Sequence, residues 1–264
     1  MSLRINNNIE AFNAHRQLTA TSNNVQKSME RLSSGSRINR AADDAAGLAI
    51  SEKLRGQIRG LSQAQRNAQD AVSLVQTAEG SLTEVHSMLQ RVRELAVQYK
   101  AGTLSTSDKA AITAEANQLM SEIERIGSAA EFNGIKLLNS ASTITFQVGA
   151  NDADSSITVS TKDVKATIGT ISVDSTAISM IDKAIEDVSS LRGTFGAVQN
   201  RLEHTLGNLA TYQENLMASE SRIRDVDMAA EMVQFSKNQI LQQAGTSMLA
   251  QANQAPQGVL SLLR

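Results

Sequence analysis

Three histidines and one pair of adjacent carboxylates are the side chains of this sequence that could support acid–base catalysis or bind a metal ion. His15, His86 and His204 lie in three different predicted helices, and none has a second ligand at the spacing that a metal site needs. Asp43 and Asp44 are neighbours in the chain, and adjacent residues of a helix do not face each other. We therefore expect solvent-facing or seam-edge positions for the histidines and a salt-bridged or helix-end role for the two carboxylates.

Other features of the sequence also argue against an enzyme. There is no cysteine, which excludes disulfides, thiol catalysis and thiolate metal sites. The glycines between residues 35 and 60 are not preceded by the strand that a phosphate-binding loop follows. We therefore expect no catalytic residue, no cofactor and no metal ion.

Charge and hydropathy restrict the partners of the chain. The formal net charge is -2, so neither nucleic acid nor an anionic membrane is an expected partner. No run of residues reaches the roughly 18 uncharged, predominantly apolar positions of a membrane helix. The first 18 residues lack the apolar core of a secretory signal, and we expect any export to use a route without a cleaved signal.

Long helices are the elements that the composition favours. Aromatic residues make up 3% of the chain and Pro256 is its one proline, so small aliphatic side chains must form the core and little interrupts a helix. Apolar residues recur in steps of three and four at Leu61, Ala64, Ala68, Ala71, Val75, Ala78, Leu82, Val85, Leu89, Val92 and Ala96. This heptad seam predicts a helix of roughly 35–40 residues, on the order of 55 Å long.

Two further seams predict partners for this helix. One runs from Leu191 to Ile223 with the same period, and a shorter one runs from Ile112 to Ile126. Ser105 and Asp108 precede the shorter seam with the spacing of a capping box. We expect a mainly α fold in which the three helices pack as a long antiparallel bundle or coiled coil.

The segment between about residues 140 and 173 has the composition of strands. TITFQV at 143–148 and ITVST at 157–161 alternate apolar and polar residues, and GANDADSS between them is typical of a turn. These patterns predict one small β-hairpin, with a further short extended stretch at 167–173.

Both ends of the chain carry looser amphipathic stripes, over residues 3–32 and 226–252. The simplest arrangement pairs these terminal helices as a helical hairpin, which would bury one face of each helix and would be marginal alone. SSGSR at 33–37 looks like a joint after the first helix. The predicted domains are residues 1–40 with 226–264, forming an inner coiled coil, and residues 41–225, forming the helical bundle with its hairpin.

Charge is distributed unevenly along the chain. The early part is rich in basic residues, namely Lys27, Arg31, Arg37, Arg40, Lys53, Arg55 and Arg59. The late part is rich in acidic residues, namely Glu214, Glu220, Asp225, Asp227 and Glu231. These clusters are either solvated faces or complementary surfaces that attract each other, between the two ends or between copies of the chain.

Six segments resemble bacterial flagellins. They are RLSSGSRINRAADDAAGLAISEKLRGQIRGL at 31–61, LQRVRELAVQ at 89–98, EFNGIKLLN at 131–139, FQVGAND at 146–152, SRIRDVDMAAEMV at 221–233 and ILQQAGTSMLAQANQAPQGVLSLLR at 240–264. The segments are long and specific, and the resemblance covers, in order, most of residues 1–155 and 180–264. It implies a structural subunit that polymerises into the flagellar filament for motility.

The resemblance also implies how the chain would assemble. In flagellins the terminal helices form an inner domain that lines a central channel, and the long helices and hairpin form the next layer. Only about 30 residues separate FQVGAND from the returning helix, which indicates a minimal flagellin without large outer domains. The stretch 238–263, which has no charged side chain, is then expected to be an assembly surface. The expected assembly residues are Leu3, Ile9, Phe12, Leu18, Ile240, Leu241, Met248, Leu249, Val259, Leu260 and Leu263.

An extracellular location and further partners follow from the same resemblance. Flagellins leave the cell unfolded through the flagellar type III apparatus, with an export chaperone on the C-terminal helix, here within 226–264. The filament also contacts hook-associated junction proteins and cap proteins. Flagellins of several animal-associated bacteria are sensed by a host Toll-like receptor through the LQRVRELAVQ helix. The corresponding contacts here are Gln90, Arg91, Leu95 and, on the short helix, Glu115. Packing against neighbouring subunits is the other use of these side chains, and both can hold.

Two other functions fit parts of the pattern. A hook–filament junction protein would have similar ends, with weaker matches to LQRVRELAVQ and to the final LLR. A chemoreceptor-like signalling coiled coil is also rich in Ala, Gln and Ser. Such a protein would lack a β-hairpin between its helices and would not need apolar, charge-free termini, so a filament subunit is the expected function.

Overall fold

The computed structural model describes residues 8–151, 155–164 and 177–262, with side chains described as far as residue 254. Within these ranges the chain is mainly helical, as predicted. The helices are α1 (Ile9–Ser34), α2 (Ala45–Tyr99), α3 (Thr106–Ala129), α4 (Ala177–Arg224) and α5 (Met228–Leu262). The strands are β1 (Glu131–Phe132), β2 (Ile135–Lys136), β3 (Thr143–Gln147) and β4 (Ser156–Ser160). The predicted extended stretch at 167–173 lies outside the described residues.

Two compact units make up the fold. The terminal unit consists of Met1–Gly56 and Leu216–Arg264, and the central unit is Gln57–Asn215. Helices α2 and α4 contribute residues to both units. The predicted division into residues 1–40 with 226–264 and residues 41–225 concerns layers of an assembly, and it stays a prediction.

The heptad seam of α2 lies at the centre of the core of the central unit. Every seam position from Leu61 to Ala96 is buried. Leu74 and Leu95, each of which precedes a seam residue, are buried as well. The buried face of α2 is therefore wider than one heptad stripe, because the helix packs against more than one neighbour.

Helix α2 is longer than the seam predicts. It has 55 residues and begins at Ala45, well before Leu61. The Asp44 side chain accepts a hydrogen bond from the Gly47 N–H at 2.8 Å, which satisfies one of the free N–H groups at the start of the helix. The exposed Ile50 does not continue the seam, so apolar spacing alone could not locate this helix start.

Helix α4 runs antiparallel to α2 in the central unit. Arg93 of α2 pairs with Asp182 at 2.6 Å, and Glu79 pairs with Arg192 at 3.7 Å, so residue numbers fall along one helix as they rise along the other. The buried face of α4 starts earlier than predicted, with Ala177, Ile181, Ala184 and Val188 ahead of Leu191. Tyr212, predicted in the seam, is 49% exposed.

Helix α3 completes the helical part of the central unit. Ile112, Ala116 and Ile123 of its predicted seam are buried. The capping box is present, since the Ser105 hydroxyl accepts from the Asp108 N–H at 3.2 Å and the Asp108 carboxylate accepts from the Ser105 N–H at 3.0 Å. This arrangement fixes where the chain re-enters a helix after α2.

The strands form two separate antiparallel hairpins. Strands β3 and β4 pair from Thr143 opposite Ser160 to Gln147 opposite Ser156, which is the predicted hairpin. Ile157 and Val159 of β4 enter the core. Strands β1 and β2 form a second hairpin that the alternation did not predict. Its turn places Asn133 and Gly134 at positive φ, as a tight hairpin turn requires.

The terminal unit contains the predicted pairing of the two terminal helices. The Asn8 side chain of the α1 N-cap donates to the Ala252 carbonyl of α5 at 2.8 Å. At the other end of α1, Arg31 pairs with Glu231 at 3.4 Å. Low residue numbers of α1 therefore lie beside high numbers of α5, and the two helices form an antiparallel hairpin.

Candidate functional site

A short joint connects the helices within the terminal unit. The segment that leaves α1 pairs with the segment that leaves α4 as an isolated antiparallel bridge, with Ser36 opposite Asp225. The Arg37 N–H donates to the Arg224 carbonyl at 2.6 Å. The Arg37 guanidinium also donates to the Ile223 carbonyl at 2.7 Å. These hydrogen bonds hold the segment after α1 and the segment after α4 in register, although the two segments are far apart in sequence.

Gly35 allows the joint to form. It ends α1 with a φ of 70°, a left-handed conformation that favours glycine. Its N–H donates to the Arg31 carbonyl at 2.9 Å, and its own carbonyl accepts from the Val226 N–H at 3.1 Å. A residue with a Cβ would be strained here, so the end of α1 and its contact with the second segment depend on this glycine.

Asp43 fixes the segment between the joint and α2. Its carboxylate pairs with Lys27 of α1 at 2.8 Å and accepts from the backbone N–H groups of Arg40 at 3.1 Å and Asn39 at 3.3 Å. The Lys27 hydrogen bond, followed by the Arg40 N–H, lowers the pKa of Asp43 to about 2. Asp43 is therefore a helix-linking carboxylate and is not paired with Asp44.

Asp43 should make the stability of the terminal unit sensitive to acid. Because folding lowers its pKa from 3.8 to about 2, the charged form stabilises the folded chain above about pH 4, and this contribution is lost as the pH falls through 2. In thermal unfolding followed by circular dichroism, we expect Asp43→Asn to be less stable than the unmodified chain at pH 6, with the gap closing towards pH 2. Asp70→Asn in the central unit is the control. A gap that stays constant from pH 6 to pH 2 would contradict this role.

The early basic and late acidic residues meet each other within the terminal unit. Arg55 pairs with Glu220 at 2.9 Å, and Arg31 pairs with Glu231 at 3.4 Å. Pairs of this kind on a surface contribute little stability each, but several of them near the joint fix its register. The described geometry thus favours attraction between the two ends of the chain for Arg31 and Arg55.

The hairpin of α1 and α5 leaves many apolar side chains uncovered. The buried side chains of α1 are Thr21 and Ser28, which are polar, and the one buried side chain described in α5 is Asn238. The exposed apolar side chains form what we call the terminal apolar surface: Ile9 at 57%, Phe12 at 73%, Val233 at 70%, Ile240 at 68%, Leu241 at 48% and Met248 at 61%. Exposure of so many large apolar groups marks an interaction surface.

A shallow groove on α5 is part of this surface. Its volume is about 480 Å³, and it is lined by Met232, Val233, Ser236, Lys237, Ile240 and Leu241. One charged side chain lies among mostly apolar ones, so the groove suits an apolar protein segment better than a small polar ligand. The amphipathic stripe predicted for this helix does not include Met232, although its spacing four residues after Met228 places both on one side of the helix.

The structure describes most of the predicted assembly residues. Ile9, Phe12, Ile240, Leu241 and Met248 are exposed. Leu18 and Leu249 are half-buried, and Leu18 lies against Gly245 of the partner helix. Val259 and Leu260 lie within α5 without described side chains, and Leu3 and Leu263 lie outside the described residues.

The residues predicted as receptor contacts lie on α2 and α3. The Arg91 guanidinium donates to Glu115 at 2.9 Å and to Glu94 at 3.0 Å, and these carboxylates, Glu115 first, raise the pKa of Arg91. Gln90 is exposed beside them, with its amide 3.0 Å from His86. We call Gln90, Arg91, Glu94 and Glu115 the polar patch.

Leu95 does not belong to the polar patch. Its side chain is 1% exposed and packs in the core of the central unit. The prediction of Leu95 as a contact residue is therefore wrong for a direct contact in this conformation. Its physical role is to pack beneath the surface that Arg91 and Glu115 form.

The three histidines do not come together in the part of the chain that the structure describes. His15 and His204 are exposed and His86 is half-buried, each on a different helix. Over residues 8–151, 155–164 and 177–262, no three His, Cys, Asp or Glu side chains cluster as a metal site would require. None of the helices in those ranges combines the length and apolar character of a membrane span.

Comparison with known proteins accounts for these features. The family model for the bacterial flagellin N-terminal helical region matches residues 5–143, and the model for the C-terminal helical region matches residues 178–263. Flagellin from Halalkalibacterium halodurans is 53% identical, covering 98% of this chain and 99% of its own length. The chain belongs to the bacterial flagellin family. Flagellins are structural subunits that polymerise into the flagellar filament, and this chain is such a subunit.

Further relatives agree with this assignment. Flagellin from Bacillus subtilis is 50% identical over 99% of this chain and 100% of its own length. The flagellar filament 33 kDa core protein of Treponema phagedenis is 48% identical over 98% and 99%. The crystal structure of Bacillus cereus flagellin is 34% identical with a TM-score of 0.50, covering 55% of this chain and 88% of its own. Neither the junction protein nor the chemoreceptor-like coiled coil is favoured by these flagellin matches.

Proposed function

We propose that this flagellin subunit polymerises by burying the terminal apolar surface against neighbouring copies, so that residues 1–40 and 226–264 form the inner layer of the filament. The observation that carries this proposal is the exposure of Phe12, Val233 and Ile240 on a helix pair with little apolar core of its own. Burying a side chain of this size is worth about 1.5–3 kcal/mol. Several such side chains per contact are enough to drive association.

Hydrogen exchange of monomer and filament tests this proposal. Because α1 and α5 have few buried side chains, we expect their amides to exchange much faster in the monomer than those of α2 and α4 in the central unit. Polymerisation should slow exchange in α1 and α5 by at least about tenfold and change the central core little. Strong protection of α1 and α5 in the monomer, unchanged in the filament, would count against the proposal.

The terminal apolar surface also suits partners that bind the subunit before polymerisation and partners that bind the two ends of the filament. An export chaperone that binds residues 226–264 would cover the apolar side chains of α5 until the chain leaves the cell. Subunits at either end of a filament expose one uncovered contact, which hook-associated junction proteins and cap proteins would occupy. Export through the flagellar type III apparatus to an extracellular filament is consistent with these roles.

The polar patch is the proposed contact for a host Toll-like receptor. Its exposed groups are an amide on Gln90, a cation on Arg91 and a carboxylate on Glu115, so they offer both donors and acceptors to a partner. Packing against a neighbouring subunit is the alternative use of the same patch. A receptor that binds here would then recognise the monomer.

Arg91→Ala should weaken receptor activation by at least about tenfold, because it removes a cation that is fixed in place by Glu115 and Glu94. A cell reporter assay with purified monomer measures the half-maximal concentration. Arg125→Ala is the matched control, since Arg125 is also exposed on a helix and paired with a glutamate, Glu122. Equal responses of both variants and the unmodified chain would exclude the polar patch.

A further inference from the structure

The sulfur chemistry of this chain is confined to methionine. It has nine methionines and no cysteine. Met88 and Met120 pack partly buried against the core of the central unit. Five others are exposed in the terminal unit, namely Met29, Met217, Met228, Met232 and Met248. The groups that an oxidant can reach are therefore concentrated in the unit that carries the terminal apolar surface.

Three of these methionines, Met228, Met232 and Met248, are exposed on α5, and Met232 and Met248 lie among the exposed apolar side chains described above. Met232 lines the apolar groove together with Val233 and Leu241. Met248 follows Leu241 by seven residues, which places both on the same side of the helix. Their side chains are 49% and 61% exposed. Both thioethers are thus accessible in the unassembled chain and belong to the apolar contact area.

We propose that Met232 and Met248 are oxidation sites through which a peroxide blocks polymerisation of the unassembled subunit. Hydrogen peroxide transfers one oxygen atom to the thioether sulfur, so the sulfur is oxidised to a sulfoxide and the hydrogen peroxide is reduced to water. The product side chain is polar and accepts hydrogen bonds, where the thioether was apolar and flexible. A sulfoxide placed in an apolar contact lacks a partner, which weakens the addition of a subunit to the filament.

This inference rests on the proposed function, because it requires that the terminal apolar surface is the assembly surface. It predicts an asymmetry between the two states of the protein. In the filament, neighbouring copies cover the thioethers and oxidation is slow. In the monomer, the thioethers are open and oxidation is fast, so the sensitive stage is the one before assembly.

The experiment treats full-length monomer and preformed filament with hydrogen peroxide and locates sulfoxides by peptide mass spectrometry. We expect Met232 and Met248 to be oxidised in the monomer before Met88 and Met120, and to be protected in the filament. After removal of peroxide, the critical concentration for polymerisation should be raised at least about tenfold, equal to about 1.4 kcal/mol. A methionine sulfoxide reductase should reverse the effect.

The Met232→Leu/Met248→Leu double variant separates these two sites from the others. Its readout is the ratio of critical concentrations with and without peroxide, so any change in basal polymerisation cancels. We expect this ratio to fall close to one, whereas Met180→Leu, which removes an exposed methionine of the central unit, should keep the full response. A double variant that stays fully sensitive, or an unmodified chain that polymerises normally when oxidised at both sites, overturns the inference.

The outcomes also distinguish the inference from the proposed function. If Met232 and Met248 are oxidised as fast in the filament as in the monomer, the surface is not buried on assembly and both ideas fail. If they are protected in the filament and the oxidised monomer still polymerises normally, the assembly surface stands and only the oxidation control is overturned.

Discussion

Replacing Ile240 by aspartate should abolish filament formation and leave the central unit folded. Ile240 is 68% exposed on α5 and lines its apolar groove, so it stabilises the free chain little. In the proposed assembly every subunit would bury the new carboxylate in an apolar contact, which costs several kcal/mol unless it is paired. A cost of about 4 kcal/mol raises the critical concentration roughly a thousandfold.

Sedimentation and negative-stain electron microscopy measure this outcome. Ile240→Leu is the matched control, since it keeps an apolar side chain at the same place and should still form filaments. Circular dichroism of the monomer must show the same helix content for both variants, because a loss of folding would also prevent assembly. Normal filaments from Ile240→Asp at ordinary concentrations would refute the assignment of this surface.

Much of the fold follows from local periodicity. The steps of three and four in α2 predict its buried face because side chains at those spacings point the same way along a helix. The same reasoning should have extended α4, since Ala177, Ile181, Ala184 and Val188 continue the spacing ahead of Leu191. The strand-like composition of the region before residue 177 obscures this signal in the sequence.

The first part of α2 could not be predicted from the spacing of apolar residues. Its start is set by the Asp44 side chain and not by an apolar stripe. A cap of this kind is one hydrogen bond, and many aspartates in a sequence could supply one. The position of Ala45 as the first helical residue therefore depends on where the preceding segment is held, which is by Asp43 and Lys27.

The LQRVRELAVQ motif does not determine which of its side chains reach solvent. The LQRVRELAVQ motif carries both Arg91 and Leu95, but one is exposed and the other is in the core. Four residues along a helix correspond to about 400° of rotation, so the two side chains leave the helix about 40° apart, and the neighbouring helices decide which of them reaches solvent. A motif match tells which residue stands at each position, but the packing of the helix decides whether that residue is exposed.

The joint depends on contacts that no local pattern encodes. SSGSR predicts an interruption after α1, but the pairing of Ser36 with Asp225 joins residues that are remote in sequence. Besides the amphipathic stripes of the terminal helices, the opposite charge of the two ends is a signal for their proximity. It could not identify Arg55 with Glu220 as a pair, because long charged side chains reach several partners at similar cost.

The second large effect is expected for Phe195→Ala, which should destabilise the central unit by about 3–5 kcal/mol. Phe195 is 1% exposed on α4, and it is the one fully buried phenylalanine among the described residues, in a core otherwise made of aliphatic side chains. Removing its ring leaves a cavity that helices packed along their whole length cannot easily close. The unfolding midpoint should fall on the order of 10 °C.

Differential scanning calorimetry and hydrogen exchange of α2 and α4 measure this loss. Met180→Ala, on the same helix and 40% exposed, is the control and should cost about 1 kcal/mol or less.

Below its lowered midpoint, the Phe195→Ala chain should still polymerise, because its terminal apolar surface is unchanged. The two substitutions thus separate folding from assembly: Ile240→Asp prevents filaments in a stable chain, and Phe195→Ala permits them in a weakened one. A Phe195→Ala chain that stays folded at low temperature but cannot polymerise would show that the central unit, and not the terminal apolar surface alone, determines assembly.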